Sequence, residues 1–368
     1  MEFGRKRKSS QSQTAQLRPK PGWAGDFGWN PDWGRERQYQ RCREQLPILD
    51  AAITKLVRLT GGFSIKTGSA ARDRELAAFL KTVPVGHGAM GIDAFLSAYL
   101  DSLIMYGRAV GEMAVWDGAL QAVIWGDVTR VRCLPGPDPM QTLLAPAEGL
   151  EPYPRQELLL FTTLNPEPTH PYGVSLLRGL PFYADALQTI YQTVARNWER
   201  AGDVRYSVIC RPDGSGMAQE RTKQMAQEWA KAMSPASGGS VSDFVAVGDL
   251  EIKVIGADAP VLDSETPVRE LLEQVVAKTG LPPFLLGLSW ATTERMSKQQ
   301  ADLLTSELWA LRRAVEPALC RIGALWLRLN GYGGTPEIEW SEISLQDLTE
   351  EAHAALYQAQ ADKLRKEG

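Results

Sequence analysis

The chain is 368 residues long, 44% hydrophobic and 23% charged, a composition that suits a globular protein with two or three packed units and a sizeable core. Its 40 Lys and Arg against 44 Asp and Glu leave a formal net charge of −4. That balance argues against a protein that grips duplex DNA tightly, because phosphate neutralisation dominates such affinity and requires a basic surplus. Cys42, Cys133, Cys210 and Cys320 stand far apart without a CxxC spacing, and only His87, His170 and His353 accompany them. Neither a metal site nor a disulfide framework is therefore expected, and scattered thiols suit a reducing compartment. Arg5 to Lys8 form a basic cluster followed by polar Ser and Gln instead of an apolar stretch, so no signal peptide is expected. Nor is a membrane span, which needs about 18 consecutive apolar residues.

Residues 1–33 are basic and Ser/Gln-rich, then Pro/Gly/Trp-rich, and read as a flexible arm. Trp23, Trp29 and Trp33 are unusual for a solvated tail and suggest docking on a neighbouring subunit. From Leu46 the period becomes helical, with Leu49, Ala52, Ile53, Leu56 and Leu59 on one face and Gly61-Gly62 as the stop. Helices follow from Asp73 to Lys81 and from Ile92 to Tyr106, the latter with Phe95, Leu96, Leu100, Leu103 and Ile104 on its apolar side. Ala109 to Trp116 and Ala119 to Trp125 flank Asp117-Gly118, a hairpin signal. Short strands are expected near Val128 to Leu134 and Glu157 to Thr162.

A turn at 169–175 opens a long helix, Ser175 to Arg200, carrying Leu177, Leu180, Leu187, Ile190, Tyr191, Val194 and Trp198, with Pro181 tolerable near its start. Residues 204–262 read as a β-α-β module: a strand to Cys210, a helix from Met217 to Met233, and a hairpin of Phe244 to Val247 with Ile252 to Ile255. A helix from Pro267 to Thr279 then runs into Gly280-Leu281-Pro282-Pro283. The longest helical pattern, Ser297 to Leu329, carries Leu303, Leu304, Leu308, Leu311, Val315, Leu319, Ile322, Leu325, Trp326 and Leu329. Pro317 within it predicts a kink. A strand at Glu337 to Trp340 and a charged helix from Leu345 close an α+β chain without a fixed-period repeat.

Catalytic signatures are missing. There is no GxxxxGK[ST], no strand followed by GxGxxG and no GxSxG elbow. Glu350-Glu351 reads as a solvated helical face, and Glu294-Arg295 as a loop ion pair. The expectation is a protein that is not an enzyme and carries no cofactor.

Four pieces, in this order, carry a resemblance: Tyr106-Gly107-Arg108-Ala109-Val110-Gly111-Glu112 at a helix exit into a strand; Tyr172-Gly173-Val174-Ser175-Leu176-Leu177 opening a long helix; Leu281-Pro282-Pro283-Phe284-Leu285-Leu286-Gly287 after a helix; and the helix from Ser297 to Asn330, whose Glu316-Pro317 precedes its final turns. Over residues 92–345 the chain resembles the portal proteins of tailed bacteriophages, prophages and gene transfer agents.

That resemblance implies a portal-type fold: an N-terminal arm (1–33), a wing (34–171), a stem helix (172–203), an inserted β-α-β clip (204–262), a second stem helix (263–284), a tunnel loop (285–296), a long wing helix and strand (297–344), and a short crown (345–368). It implies a ring, typically a dodecamer, at one capsid vertex of the virion, assembled in the host cytoplasm. Double-stranded DNA would pass through without sequence specificity. The implied partners are the terminase large subunit, a head-tail adaptor, the major capsid protein and a scaffold protein. In the tunnel loop the implied channel residues are Ser289, Trp290, Ala291, Thr292, Thr293, Glu294, Arg295 and Lys298. In the clip the implied docking residues are Arg211, Asp213, Arg221, Lys223, Glu228 and Lys231. A net charge of −4 repeated around a ring suits a lining along which DNA slides. Two other readings are another head-tail connector, whose chains are generally much shorter, and a DNA-packaging enzyme, which needs a nucleotide loop or a carboxylate cluster.

Overall fold

The computed structural model describes residues 35–137, 141–149, 151–168, 170–202, 205–210, 223–224, 227, 250–255, 264–288 and 294–343. The chain divides into two compact units, residues 186–270 and the remainder.

The larger unit begins with α1 (Arg35–Gln45) and α2 (Pro47–Thr60). Proline suits the first turn of α2, where its missing N–H deprives the helix of nothing. A short strand, β1 (Phe63–Lys66), leads to α3 (Ala70–Thr82) and then α4 (Ile92–Tyr106). The predicted apolar side of α4 is buried throughout: Phe95, Leu96, Leu100, Leu103 and Ile104 are all below 4% exposed. Each such side chain contributes about 1.5–3 kcal/mol of transfer free energy. Phe95 and Tyr99 stack at 5.1 Å on this face, and the Tyr99 hydroxyl donates to Thr162 Oγ1 at 2.9 Å.

That face covers a three-stranded antiparallel sheet of order β3-β2-β6, made from β2 (Arg108–Trp116), β3 (Ala119–Trp125) and β6 (Leu159–Thr163). Asp117 (φ 53°) and Gly118 (φ 74°) form the tight turn between β2 and β3, as the Asp-Gly pair predicts. A register shift between Ala114 and Val115 bulges the hairpin. β4 (Val131–Pro135) pairs with β5 (Thr142–Pro146), a partner the sequence reading lacks. Val110, Val128 and Leu144 form a second small core there, with Tyr106, Cys133, Tyr153 and Phe161 against it.

α5 (Leu180–Gly202) carries the chain out of this unit, and α6 (Glu265–Thr279) brings it back. α5 starts later than the predicted Ser175. The Ser175 hydroxyl donates to the Met105 carbonyl at 2.5 Å and accepts from Leu177 N at 2.9 Å, which holds 175–179 as a turn. Tyr191 and Trp198, placed by the periodicity on an apolar stripe, are exposed.

The longest helix, α7 (Glu294–Leu329), continues through Pro317. It packs on α2 and on the sheet through β3 and β6. Leu304, Leu308, Val315, Leu319 and Ile322 are essentially inaccessible, whereas Leu303 is 69% exposed and departs from the expected stripe. β9 (Glu337–Trp340) pairs antiparallel with β1, Phe63 opposite Trp340, so segments more than 270 positions apart share one ribbon.

In the smaller unit, β7 (Arg205–Cys210) and β8 (Leu250–Ile255) pair antiparallel, Arg205 opposite Ile255 and Cys210 opposite Leu250. The proposed hairpin partner of β8, residues 244–247, lies outside the described residues, as does the predicted C-terminal helix.

Candidate functional site

Two of the four pieces that carry the resemblance meet backbone to backbone. The turn after α4 brings Gly107 against Gly173: Leu164 N donates to the Gly107 carbonyl at 2.8 Å, and Leu176 N to the Ile104 carbonyl at 3.1 Å. A Cβ on Gly173 would lie 1.9 Å from the Gly107 oxygen, and one on Gly107 would lie 2.3 Å from the Val174 carbonyl carbon. Glycine is therefore required at both positions, and Gly173 also has a left-handed φ of 93°. Nearby, Arg178 forks onto Glu167 at 2.7 and 2.8 Å. The Arg178 hydrogen bonds hold the Glu167 carboxyl below its usual range, with smaller help from His170 and Lys278. This joint sets the direction in which the chain enters α5.

The third piece anchors the entry to the expected channel loop. α6 ends with the Thr279 hydroxyl donating to the Val275 carbonyl at 2.9 Å, and Leu281 and Pro283 are buried. Residues 283–286 form one 3₁₀ turn, after which Leu288 N donates to the Pro283 carbonyl at 3.0 Å. Ser289, Trp290, Ala291, Thr292 and Thr293 lie outside the described residues. Glu294, Arg295 and Lys298 have helical backbone at the start of α7. The described residues that flank this segment in sequence are a buried Pro-Pro turn and the longest helix.

Of the expected docking residues, Arg211, Asp213, Arg221, Glu228 and Lys231 lie outside the described residues, while Lys223 is helical and exposed.

The fourth piece, α7, contains a residue that sequence reasoning missed. Arg312 is fully buried. Its Nε donates to the Thr60 carbonyl at 2.8 Å, at the end of α2, where the partial negative charge of the helix terminus favours a cation. Its guanidinium lies between two indoles, 4.9 Å from Trp309 and 5.0 Å from Trp340, an arrangement in which ring faces attract the cation. Trp340 Nε1 donates in turn to Glu316 at 3.3 Å. Nη1 and Nη2 have no acceptor among the described residues, and burial pushes the arginine's pKa down. A signal existed: the buried spacing Leu304, Leu308, Val315, Leu319 passes through position 312, so the stripe itself places a charge inside.

A cleft of about 530 Å³ opens between α2, α4 and the segment after β3; its lining includes Val57, Arg58, Ala98, Asp101, Tyr106 and Trp125. α1 reaches this lining through Asp101. Arg43 of α1 donates from Nη1 to both Asp101 oxygens at 2.8 Å and from Nε to Asp50 at 2.6 Å. At the other end of α1, Glu36 accepts from the buried Arg108 at 2.6 Å. Tyr106 is within electrostatic reach of both pairs. Burial raises its pKa most, and Asp127, Asp101 and Glu36 add to that rise while Arg43 opposes it.

The described residues bring together no group of three His, Cys, Asp or Glu able to hold a metal ion. Burial raises the Cys42 thiol to about 11 and the Cys133 thiol to about 12, so neither is a thiolate near neutral pH. No described helix is long and apolar enough to cross a membrane.

No family model matches the sequence, and no curated protein does. Solved structures are similar in fold. One is a chain in the neck of a native gene transfer agent particle with C12 symmetry, 14% identical, TM-score 0.61, covering 90% of each chain. Another is a chain of the virion of a native gene transfer agent particle, 16% identical, TM-score 0.57, covering 91% of each chain. A third, an HK97-family phage portal protein from Corynebacterium diphtheriae, is 12% identical with TM-score 0.45 over 80% of this chain and 93% of that one. The chain shares the fold of the gene transfer agent proteins from near one end to the other.

Proposed function

We propose that the chain is a portal protein: a subunit of a ring at one capsid vertex, through which DNA is packaged and later ejected. The observation that carries this reading is the likeness to a neck protein of a gene transfer agent particle over 90% of both chains. A fold alone does not dictate function, but here it joins a second observation. Large apolar side chains stand exposed on several elements: Phe182, Tyr191 and Trp198 on α5, Phe284 after α6, and Leu303 and Trp309 on α7. Ring neighbours would cover such surfaces.

In this reading residues 34–171 and 297–344 form the wing, α5 and α6 the stem, 204–262 the clip, 285–296 the tunnel loop and 345–368 the crown. The C12 symmetry of the similar neck supports a dodecamer. The tunnel loop is where the channel narrows, and Trp290 and Glu294 act on the passing DNA. Few fixed cations there keep phosphate contacts sparse, so the duplex slides. The clip, including Lys223, docks the terminase large subunit and then the adaptor, and the wing meets capsid and scaffold proteins. The subunit hydrolyses no ATP; the motor does.

Native mass spectrometry of the purified full chain, paired with an ATPase assay, tests this. One closed high-order oligomer without turnover is expected. Robust intrinsic turnover overturns the reading in favour of a packaging enzyme.

A further inference from the structure

The cleft between α2 and α4 and the aromatic arm that precedes α1 point to one another. We propose that residues 23–33 of each chain dock in its own cleft, the tryptophans filling the space between Val57, Ala98, Tyr106 and Trp125. This does not depend on the portal reading.

Reach is the first argument. Glu36 is fixed to Arg108 at 2.6 Å, and Arg108 is two residues beyond Tyr106, which lines the cleft. Trp33 precedes Glu36 by three residues, at most ~10 Å of extended chain. Trp29 and Trp23 lie four and ten residues further back along the chain.

Chemistry is the second. Trp23, Phe27, Trp29 and Trp33 fall within eleven residues, a density that a solvated tail lacks. A volume of about 530 Å³ lies in the range of clefts that take a molecule larger than one indole. Its lining offers the Trp125 and Tyr106 rings for stacking, and Ser97, Ser102, Asp101 and Asp127 as acceptors for indole N–H groups.

The test places the photo-crosslinking residue benzoylphenylalanine at position 29 of the full chain, in a mixture of heavy-nitrogen-labelled and unlabelled protein. Crosslinks to 97–106 or 125–128 within peptide pairs of one isotope are expected. Filling the cleft with Ala98→Trp should reduce them roughly tenfold, the factor that corresponds to about 1.4 kcal/mol. As a second measurement, chymotrypsin should cut after Trp29 more slowly in the unsubstituted chain than in Ala98→Trp. Crosslinks outside the cleft, or equal cleavage after Trp29 in the two proteins, overturn the proposal. Mixed-isotope pairs also overturn it, and assign the cleft to a neighbour's arm.

Discussion

Arg312 Nε donates to the Thr60 carbonyl at 2.8 Å, joining the middle of the longest helix to the end of α2 across 252 positions of sequence. With its guanidinium over the rings of both Trp309 and Trp340, this side chain ties α2, α7 and the β1–β9 ribbon together.

Removing it separates its packing from its charge. Arg312→Ala deletes the stem between two indoles and should cost about 3 kcal/mol. Arg312→Met keeps the bulk and removes a buried cation whose Nη atoms lack acceptors among the described residues, so it should cost less than about 1 kcal/mol or stabilise. Chemical denaturation of both variants checks this, and equal losses would contradict it.

The Gly107–Gly173 contact allows no side chain. Gly173→Ala should cost more than about 2 kcal/mol, because a Cβ would meet the Gly107 oxygen and φ is left-handed. Gly68→Ala is the control. Its φ is 75° but nothing lies within 4 Å of the added atom, so only the conformational cost of about 1 kcal/mol remains. Thermal unfolding of the two variants should differ accordingly.

Asp73 gives an acid-side signature. Its carboxylate accepts from Thr67 Oγ1 at 2.6 Å and Thr67 N at 2.7 Å, and these bonds lower its pKa in the folded state. The unfolded chain, with Asp near ~3.9, then binds more protons, and the stabilisation present above that value is lost as pH falls through the folded one. Asp73→Asn should reduce stability at neutral pH and flatten its decline below about pH 5. An unchanged acid slope would count against the interaction.

The proposed channel loop predicts a split phenotype. Trp290→Ala or Glu294→Ala should impair packaging or retention of DNA in reconstituted particles while leaving the oligomer intact. If either variant loses the oligomer, the segment belongs to the subunit interface instead.

Much of this architecture was legible in the sequence. The helix at 92–106 and the hairpin about Asp117-Gly118 follow from strong periodicity and one turn pair, and both stand where predicted. What escaped lacks a local signal. β1 has four residues and finds its partner in β9, more than 270 positions away. α1, RERQYQRCREQ, buries only Tyr39 and Cys42 and is held by the ion pairs of Glu36 and Arg43, which periodicity does not register. Ser175 looked like a helix start, but its hydroxyl is engaged by Met105 and Leu177, so α5 begins five residues later. In the candidate site, Arg312 was hidden by its type: an arginine on an apolar stripe reads as a surface residue until the stripe is followed through it.

Electron microscopy of the purified full chain, viewed down its symmetry axis, tests the central proposal most directly. Rings with a central channel wide enough for duplex DNA are predicted. Uniform monomers or compact dimers, under conditions where the protein is folded, would contradict it.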